Sequence, residues 1–303
     1  MSNKIVGLVG ASGHLGGLIT EELLNNPNVT LRLLVRPESR AKVAELEARG
    51  AEVVEGSIGQ ENEAALTKLA EGAFAIVSSI QGGPDEIIGG QAELLAAARK
   101  AGVRRFIPST FSLDLFKVKP GQIITSDWRR QFADLAETSR GDVEVVHILN
   151  GGFLDHTTLF GFINVINPSE GKAYVWGDGK ETTYWTTYKG TASYTAAAAV
   201  EERVLPWALA VAGDALDFWG IVSAYEAASS KKLQVVTLGS MDDLDDRIAE
   251  LTSGGQQNFL QFLPLMYYRS TLNGEGRLDP LYNDLFPEIR PMKVRDYVYQ
   301  EGF

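Results

Sequence analysis

The sequence contains no cysteine among its 303 residues, and this absence excludes several kinds of chemistry. A chain without cysteine has no disulfide, no thiol nucleophile and no thiolate ligand for a metal ion. Histidine is scarce as well, with three in the chain, and no histidine pair stands with a carboxylate at a metal-ligand spacing. We therefore expect no metal site. The motif Gly-x-Ser-x-Gly is also missing, which argues against an α/β-hydrolase nucleophile.

The sequence also lacks an excess of positive charge and long apolar runs. The formal net charge is −11, so we expect no nucleic-acid partner, because phosphate backbones require a basic face. No apolar stretch is long enough to span a bilayer, and no apolar segment typical of a signal peptide precedes Lys4. We therefore expect no membrane partner and a cytoplasmic location. At 45% hydrophobic and 22% charged, the chain has the composition of a globular protein with a sizeable core.

The most informative positive signal is the segment KIVGLVGASGHLGGL at residues 4–18. Its apolar run at residues 5–9 is typical of a strand buried on both faces, and a helical pattern follows the glycines directly. Gly10 permits a tight turn, Gly13 leaves room for a pyrophosphate, and Gly16 lets the helix pack closely on the strand. The helix N-terminus would offer N–H groups and partial positive charge to the phosphates. The predicted cofactor contacts here are Gly10, Ser12, Gly13, His14, Leu15 and Gly16.

The residue after the second predicted strand, residues 29–35, indicates which dinucleotide is bound. An acidic residue there would bind the ribose 2′-hydroxyl of NAD, whereas a cation pairs with the 2′-phosphate of NADP. The sequence has Arg36 at this point, with Ser39, Arg40 and Lys42 close behind. We predict that Arg36, Ser39 and Lys42 contact the cofactor and that NADP(H) is preferred over NAD(H). An ordinary solvated basic loop is the alternative interpretation.

Strand and helix patterns alternate through the first half of the chain. Further strands are predicted at residues 51–54, 74–79, 104–108 and 143–149, with helices at residues 61–70, 84–101 and 126–138 between them. Such repetition predicts an α/β fold with a doubly wound, mostly parallel sheet. The rhythm ends near Asn150. We predict a dinucleotide-binding domain at residues 1–150 and a smaller α+β lobe at 151–303 that packs on it to form a cleft, with chain exchange between the two left open.

Ligands of open α/β sheets lie beyond the carboxyl ends of the strands, so the residues that follow each strand are candidates for the cofactor site. The predicted contacts are Ser78, Ser79 and Gln81 beside the adenosine ribose and the nicotinamide side of the cofactor, Ser109, Thr110 and Phe111 facing the nicotinamide, and Phe153 near its ring. Ser109 and Thr110 are equally typical of hydroxyls that cap a following helix, which is the alternative for these two.

The order of motifs along the chain resembles the NmrA-like and isoflavone-reductase-like family of atypical short-chain dehydrogenases. The segments that carry the resemblance are GASGHLG, LLVRPESRAKV, RRFIPSTFSLD, NGGFLD, VWGDGKETTYWTT and the closing RLDPLYNDLFPEIRPMKVRDYV. In that family the third segment usually contains Pro-Ser-Glu-Phe-Gly-x-Asp, and here Thr110 replaces the Glu and Ser112 the Gly. The resemblance implies a Rossmann domain, NADP(H), and a cleft under the C-terminal lobe for a small, often aromatic substrate.

Two catalytic signatures are missing. None of the ten tyrosines has a Lys four residues later, so the Tyr-x-x-x-Lys of typical short-chain dehydrogenases is absent. The reductase branch instead has a Lys shortly before Arg-Arg, and Asp127 occupies the matching position here. Lys117, Lys119 and His156 remain as candidate proton donors, with an exposed or structural role as the alternative for each. His147, inside a predicted strand, is expected to be a core histidine.

The function predicted from the sequence is an NADP(H)-dependent oxidoreductase acting on a small aromatic or unsaturated, carbonyl-type substrate, as a monomer or homodimer. Aromatic residues at 174–188 and 259–268 are candidates for an apolar pocket, although for most of them we prefer the core of the second lobe. The alternative function is an NADP(H)-binding, redox-sensing regulator without turnover. The missing Lys favours this alternative.

Overall fold

The computed structural model describes residues 3–303, and its first half alternates strands with helices as predicted. The elements are β1 (Lys4–Val9), α1 (His14–Leu24), β2 (Val29–Val35), α2 (Ala44–Ala48), β3 (Glu52–Glu55), α3 (Glu63–Ala70), β4 (Ala73–Ser78), α4 (Gln91–Lys100), β5 (Arg105–Ile107), α5 (Ile124–Ser139) and β6 (Glu144–Val145). A 3₁₀ helix, Pro37–Val43, replaces the expected loop after β2, and a π-helical segment, Asp85–Gly90, leads into α4.

Strands β1 to β6 form one parallel sheet in the order β3-β2-β1-β4-β5-β6. Alternating side chains of β1 point to opposite faces: Val6 and Leu8 pack on the side of α1, whereas Val9 packs on the side of α3 to α5. The direction of winding reverses between β1 and β4, where the carboxyl ends of the strands leave a crevice. The predicted doubly wound α/β fold is confirmed.

The second half contains shorter strands and five further α-helices. Its elements are β7 (His147–Leu149), β8 (Gly152–Phe153), β9 (Ile166–Asn167), β10 (Lys172–Trp176), β11 (Thr183–Thr186), α6 (Tyr188–Val200), β12 (Ala208–Ala210), β13 (Asp214–Leu216), α7 (Phe218–Ser229), β14 (Gln234–Gly239), α8 (Met241–Ser253), α9 (Phe259–Leu272) and α10 (Val294–Glu301). Of these helices, α6 is the one that returns to the first sheet. Two three-stranded sheets form, β14-β10-β9 and β13-β11-β8. Within residues 3–303, no helix combines the length and the apolar character needed to cross a membrane.

Helix α6 and strand β12 pack into the core of the first sheet. Ala192 and Tyr194 of α6 are fully buried in the same cluster as Val6 and Leu8. The predicted sixth strand divides at Val146: β6 pairs with β5, and β7 pairs with β12. The change of partner occurs because the chain after β6 leaves the edge of β5 and hydrogen-bonds to the incoming β12. The division at residue 150 stays a prediction, and the chain on either side of it shares one core.

The connection between β5 and α5 packs against α8 and α9. Leu115 and Ile123 of this connection bury together with Phe262 and Leu263 of α9. This packing holds the first turns of α5 beside α9. Residues from both helices consequently line the same cavity.

Candidate cofactor and substrate site

The glycine-rich turn joins β1 to α1 at the carboxyl edge of the sheet. Gly10 has φ +95°, which favours glycine, and the N–H of Gly13 donates to its carbonyl oxygen at 2.9 Å. A Cβ on Gly10 would come within 2.5 Å of the Ser79 carbonyl oxygen, and a Cβ on Gly16 would collide with Gly10. Gly13 has an ordinary φ of −86°, and the nearest atom to its Cβ would lie at 3.3 Å. The fold therefore requires glycine at 10 and 16, whereas a Cβ on Gly13 would make one tight contact, with the Gly10 carbonyl oxygen, and would meet no other atom within 4 Å.

The N-terminus of α1 is uncapped. Gly13 is the N-cap residue and supplies no side-chain hydrogen bond, and the first turn contains no acidic residue. Ser12, Gly13 and His14 are all exposed, with Leu15 partly buried behind them. Free N–H groups and the helix dipole at such an end stabilise an anion. The exposed Gly13 and these N–H groups together fit a pyrophosphate.

The segment that follows β2 presents two cations and buries a predicted hydroxyl. Arg36 is 63% exposed at the start of the 3₁₀ helix and pairs with the equally exposed Glu38 at 3.2 Å. Lys42 is exposed, whereas Ser39 lies under the turn and is 4% exposed. Arg40 is held by ion pairs with acidic residues of α2 and β3, Glu47 and Glu55. Arg36 and Lys42 are thus the side chains most accessible to a 2′-phosphate.

Two of the three predicted serines link the ends of the strands by side-chain hydrogen bonds. The Ser79 hydroxyl donates to the carbonyl oxygen of Val9 at 3.3 Å, and the Ser109 hydroxyl donates to that of Ile80 at 2.6 Å. Ser78 is fully buried, and its hydroxyl has no hydrogen-bond partner among the described residues. Their roles as cofactor contacts stay predictions.

Thr110 is hydrogen-bonded to a buried histidine. Its hydroxyl lies 2.8 Å from Nδ1 of His147, and both residues are at most 3% exposed. The rings of Phe116 and Trp207 pack against the imidazole at centroid distances of 5.0 and 5.6 Å. Burial lowers the pKa of His147 to about 3, so the imidazole is neutral at physiological pH. His147 is the core histidine expected from the sequence.

A cavity of about 590 Å³ lies beyond the carboxyl ends of β4, β5 and β7, between the two halves of the chain. Of the predicted cofactor contacts, Gln81, Phe111 and Phe153 line it. The volume is in the range of pockets that hold drug-sized ligands. The cavity is therefore large enough for a small aromatic molecule beside the ring of a nicotinamide.

The cavity is largely aromatic and almost free of charge. Nine aromatic side chains line it: Phe111, Phe153, Phe162, Tyr184, Trp185, Tyr188, Phe218, Tyr267 and Tyr268. Arg129 is the single charged residue in its lining, which contains no Lys, His, Asp or Glu from the described part of the chain. Residues 3–303 also contain no group of three or more His, Asp or Glu side chains arranged to hold a metal ion.

A column of aromatic rings connects the glycine turn to this cavity. Phe153 and Tyr188 stack with their ring centroids 3.9 Å apart and their planes 5° from parallel. The imidazole of His14 also packs edge-on against the ring of Tyr188, with the two ring centroids 4.5 Å apart. Tyr188 is the first residue of α6, and burial raises the pKa of its hydroxyl. The helix that returns to the first sheet thus brings Tyr188 between the predicted phosphate site and the cavity.

The three candidate proton donors do not line the cavity. Each contacts residues elsewhere: Lys117 Nζ donates to the carbonyl oxygens of Arg277 and Asp279 at 3.0 and 2.9 Å, Lys119 pairs with Glu275 at 3.1 Å, and His156 Nε2 lies 2.9 Å from a Glu301 carboxylate oxygen. His156 is 54% exposed and Lys119 is 74% exposed. The structure thus gives these candidates contacts away from the predicted site, and their catalytic roles stay predictions.

Asp127, at the position of the missing Lys, stabilises the start of α5. Its carboxylate accepts a hydrogen bond from the N–H of Gly121 at 2.9 Å and pairs with Arg130 at 3.1 Å. It does not line the cavity. Arg129, two residues later in the same helix, does line the cavity.

The sequence interpretation missed several residues of the cavity wall. Arg129 was considered only as part of the Arg-Arg pair used to align the helix with the reductase branch. Most of the aromatic residues were assigned to the core of the second lobe. The spacing of Thr125 and Arg129, four apart on one helix face, was the available signal for a shared surface. Tyr267 could be placed beside them only from the tertiary structure, because α9 follows α5 by more than a hundred residues.

Comparisons with other sequences match part of the chain. Residues 2–128 match the NmrA-like family. A curated relative, the asnovolin J 5′,6′-dehydrogenase of Aspergillus novofumigatus, is 37% identical over 114 residues. That match covers 36% of this chain and 33% of the relative, so the chain matches about a third of the relative's length.

Solved structures share the fold over nearly the whole chain. A structure of AtPrR2 with NADP⁺ and (+)-pinoresinol has a TM-score of 0.83 at 21% identity and covers 99% of both chains. An isoflavone reductase has a TM-score of 0.82 at 20% identity, with 99% of this chain and 100% of that chain covered. Residues 2–128 thus match the NmrA-like family, and over nearly its whole length the chain has a fold similar to that of the isoflavone reductase.

Proposed function

We propose that the protein is an NADP(H)-dependent oxidoreductase that acts on a small aromatic or unsaturated, carbonyl-type molecule in the 590 Å³ cavity. The observation that carries the proposal is the uncapped N-terminus of α1, where Gly13 is exposed and a Cβ on it would meet one atom within 4 Å, the Gly10 carbonyl oxygen at 3.3 Å. This helix end and the cavity lie at the same edge of the parallel sheet, where dinucleotides bind.

The residues present would hold the cofactor from end to end. The turn from Gly10 to Gly16 would bind the pyrophosphate, and Arg36 with Lys42 would bind the 2′-phosphate. Phe111 and Phe153 would border the nicotinamide end. When bound, NADPH supplies the hydride, and this chain supplies position and electrostatics.

Reduction of a carbon–carbon or carbonyl double bond needs one proton besides the hydride. The hydroxyls of Thr125 and Tyr267 lie 2.8 Å apart in the cavity wall. This pair can pass a proton from water to the reduced substrate. Because the described cavity lining has no Lys, His or carboxylate, we propose that water and these hydroxyls complete the reaction without a dedicated acid.

The related proteins support the choice of substrate. AtPrR2 was solved with (+)-pinoresinol, and further proteins of the same fold are named as isoflavone and leucoanthocyanidin reductases. The curated relatives are named as a dehydrogenase and an oxidoreductase. Nine aromatic side chains around this chain's cavity suit an aromatic ligand, since such rings favour stacked or edge-on contacts.

The test has two stages. Isothermal titration with NADPH and NADH first measures cofactor binding, and NADPH absorbance then measures turnover on a panel of aldehydes, quinones, enones and aryl ketones. We expect micromolar or tighter binding of NADPH and consumption with at least one panel member. Absence of NADPH binding would refute the proposal. Size-exclusion chromatography of the same sample distinguishes monomer from homodimer.

A redox-sensing regulator without turnover is the second candidate. It is favoured by the positions of Lys117, Lys119 and His156, which all lie outside the cavity lining. A regulator should bind NADPH and NADP⁺ with different affinities, consume neither on the panel, and change its protease sensitivity with the form bound. Turnover on any panel member would favour the enzyme instead.

A further inference from the structure

Arg129 stands out because it is a half-buried cation with no carboxylate partner among the described residues. Its Nε donates to the Ser109 carbonyl oxygen at 3.0 Å, and its Nη1 donates to the Thr125 carbonyl oxygen at 2.9 Å. These bonds fix the guanidinium at the cavity wall, while Nη2 makes no hydrogen bond among the described residues. A guanidinium carries five N–H donors, so a large part of its capacity is unused.

The neighbouring arginine shows what a compensated guanidinium looks like in the same helix. Arg130 pairs with Asp127 at 3.1 Å and donates to the carbonyl oxygens of Leu115 and Val118 at 2.8 Å each. Arg130 therefore has a structural role in holding the connection between β5 and α5. Arg129, one residue earlier, has no acidic partner and lines the cavity.

The rest of the cavity wall indicates that the charge of Arg129 influences which ligands bind. A half-buried cation in a cavity lined by nine aromatic side chains is costly unless a ligand compensates it. Beside it, among other polar side chains of the lining, are the hydroxyls of Thr125 and Tyr267, which can also donate to an acceptor. A ligand with an ammonium group would find no acidic residue in the described lining.

We propose that the cavity binds an aromatic molecule carrying a carboxylate, and that Arg129 binds this carboxylate. Arginine suits the role because its planar N–H groups match carboxylate oxygens, and such charge-assisted bonds are roughly twice as strong as neutral ones. The proposal rests on the proposed function for the chemistry that follows binding. It names the class of ligand, an aryl acid, and the specificity residue that selects it.

Matched acids and amides test the charge directly. Benzoate, cinnamate and 2-naphthoate are titrated against the protein with and without NADPH, and so are the corresponding neutral amides. We expect at least one acid to bind at least about tenfold more tightly than its amide. Titration without NADPH keeps this result separate from the proposed function, which fails if NADPH does not bind.

Two substitutions at Arg129 test whether this residue causes the tighter binding of acids than of amides. Arg129→Gln removes the charge but keeps donors for the Ser109 and Thr125 carbonyl oxygens, so the fold should persist. It should abolish the preference for the acid, and Arg129→Lys should restore part of it. Arg140→Met is the control, because Arg140 ends α5 beside Glu137, outside the cavity lining, and should keep the wild-type preference.

Three results would overturn the proposal. One is that no acid binds, or that acids and amides bind wild-type protein equally. Another is that the preference survives in Arg129→Gln. The third is that Arg129→Gln weakens NADPH binding as much as acid binding, which would assign the residue to the cofactor.

Discussion

The carbonyl oxygen of Gly10 occupies the position that a side chain on Gly16 would need. Glycine is needed at position 16 for the packing of the protein, because α1 lies close against the end of β1. At Gly13, between them, an added Cβ would meet nothing nearer than 3.3 Å. Two glycines of the turn thus have strong structural reasons to be glycine, whereas at the third the contact is tight but single, and the proposed pyrophosphate would be a further reason.

Gly13→Val should abolish NADPH binding while the protein stays folded. The backbone at Gly13 is extended, with φ −86° and ψ 166°, a conformation that valine adopts readily. Its side chain would instead fill the space assigned to the pyrophosphate. Isothermal titration measures the affinity, and the thermal midpoint of unfolding reports the fold.

Gly16→Ala is the matched contrast. Here the new methyl group would displace the Gly10 backbone, and overpacking of this kind costs about 1–3 kcal/mol of stability. We expect a lower unfolding midpoint for Gly16→Ala than for Gly13→Val. Unchanged NADPH affinity in Gly13→Val would show that the turn does not hold the phosphates.

Arg36→Asp should weaken NADPH binding at least about tenfold and narrow or reverse the preference over NADH. The lost charge-assisted contact to the 2′-phosphate corresponds to about 1.5–3 kcal/mol, and the new carboxylate repels the phosphate. Paired titrations with NADPH and NADH measure the effect. Arg40→Gln should change the ratio less, because Arg40 is held by Glu47 and Glu55. Equal affinities of wild-type protein for both cofactors would contradict the assignment.

Alanine at Lys117, Lys119 or His156 should leave turnover within about tenfold of wild type. General acid catalysis contributes about 10²- to 10⁴-fold, so loss of an essential donor would be evident. All three lie outside the cavity lining, whereas Tyr267 lies within it. Tyr267→Phe, which removes the hydroxyl beside Thr125, should lower turnover more than any of the three. The measurement is kcat on a substrate from the panel, with NADPH affinity as the control, and a hundredfold loss at one of the three would identify it as the acid.

Much of the first half could be predicted because its signals are local. A buried strand, glycines at fixed spacing and a helix follow one another within residues 4–24, and the structure places β1 and α1 there. The rhythm of later strands predicted the parallel sheet for the same reason. The 3₁₀ helix after β2 was missed, since Pro37 and the charged residues that follow are equally typical of a loop.

The cavity could be predicted only in part, because its wall is assembled from distant segments. Thr125 and Tyr267 are 142 residues apart, and their hydroxyls meet only because α5 packs beside α9. Tyr188 faces Phe153 because α6 returns to the first sheet, a path that no local pattern encodes. Thr110 was placed beside the nicotinamide by its position after a strand, and its hydroxyl instead bonds to His147.

The buried His147 should make the protein less stable in mild acid. Its pKa is lowered to about 3 in the folded state by burial, against about 6.5 when unfolded. Between these values the unfolded chain binds a proton that the folded protein does not, so stability falls as the pH falls below about 6.5. From pH 7.5 to pH 5 this one group should cost about 2 kcal/mol of unfolding free energy. His147→Asn, which keeps a polar partner for Thr110, should lose this part of the pH dependence in urea unfolding, whereas the exposed His156→Asn should retain it. Equal pH dependence in wild type and His147→Asn would show that the imidazole is protonated inside the fold.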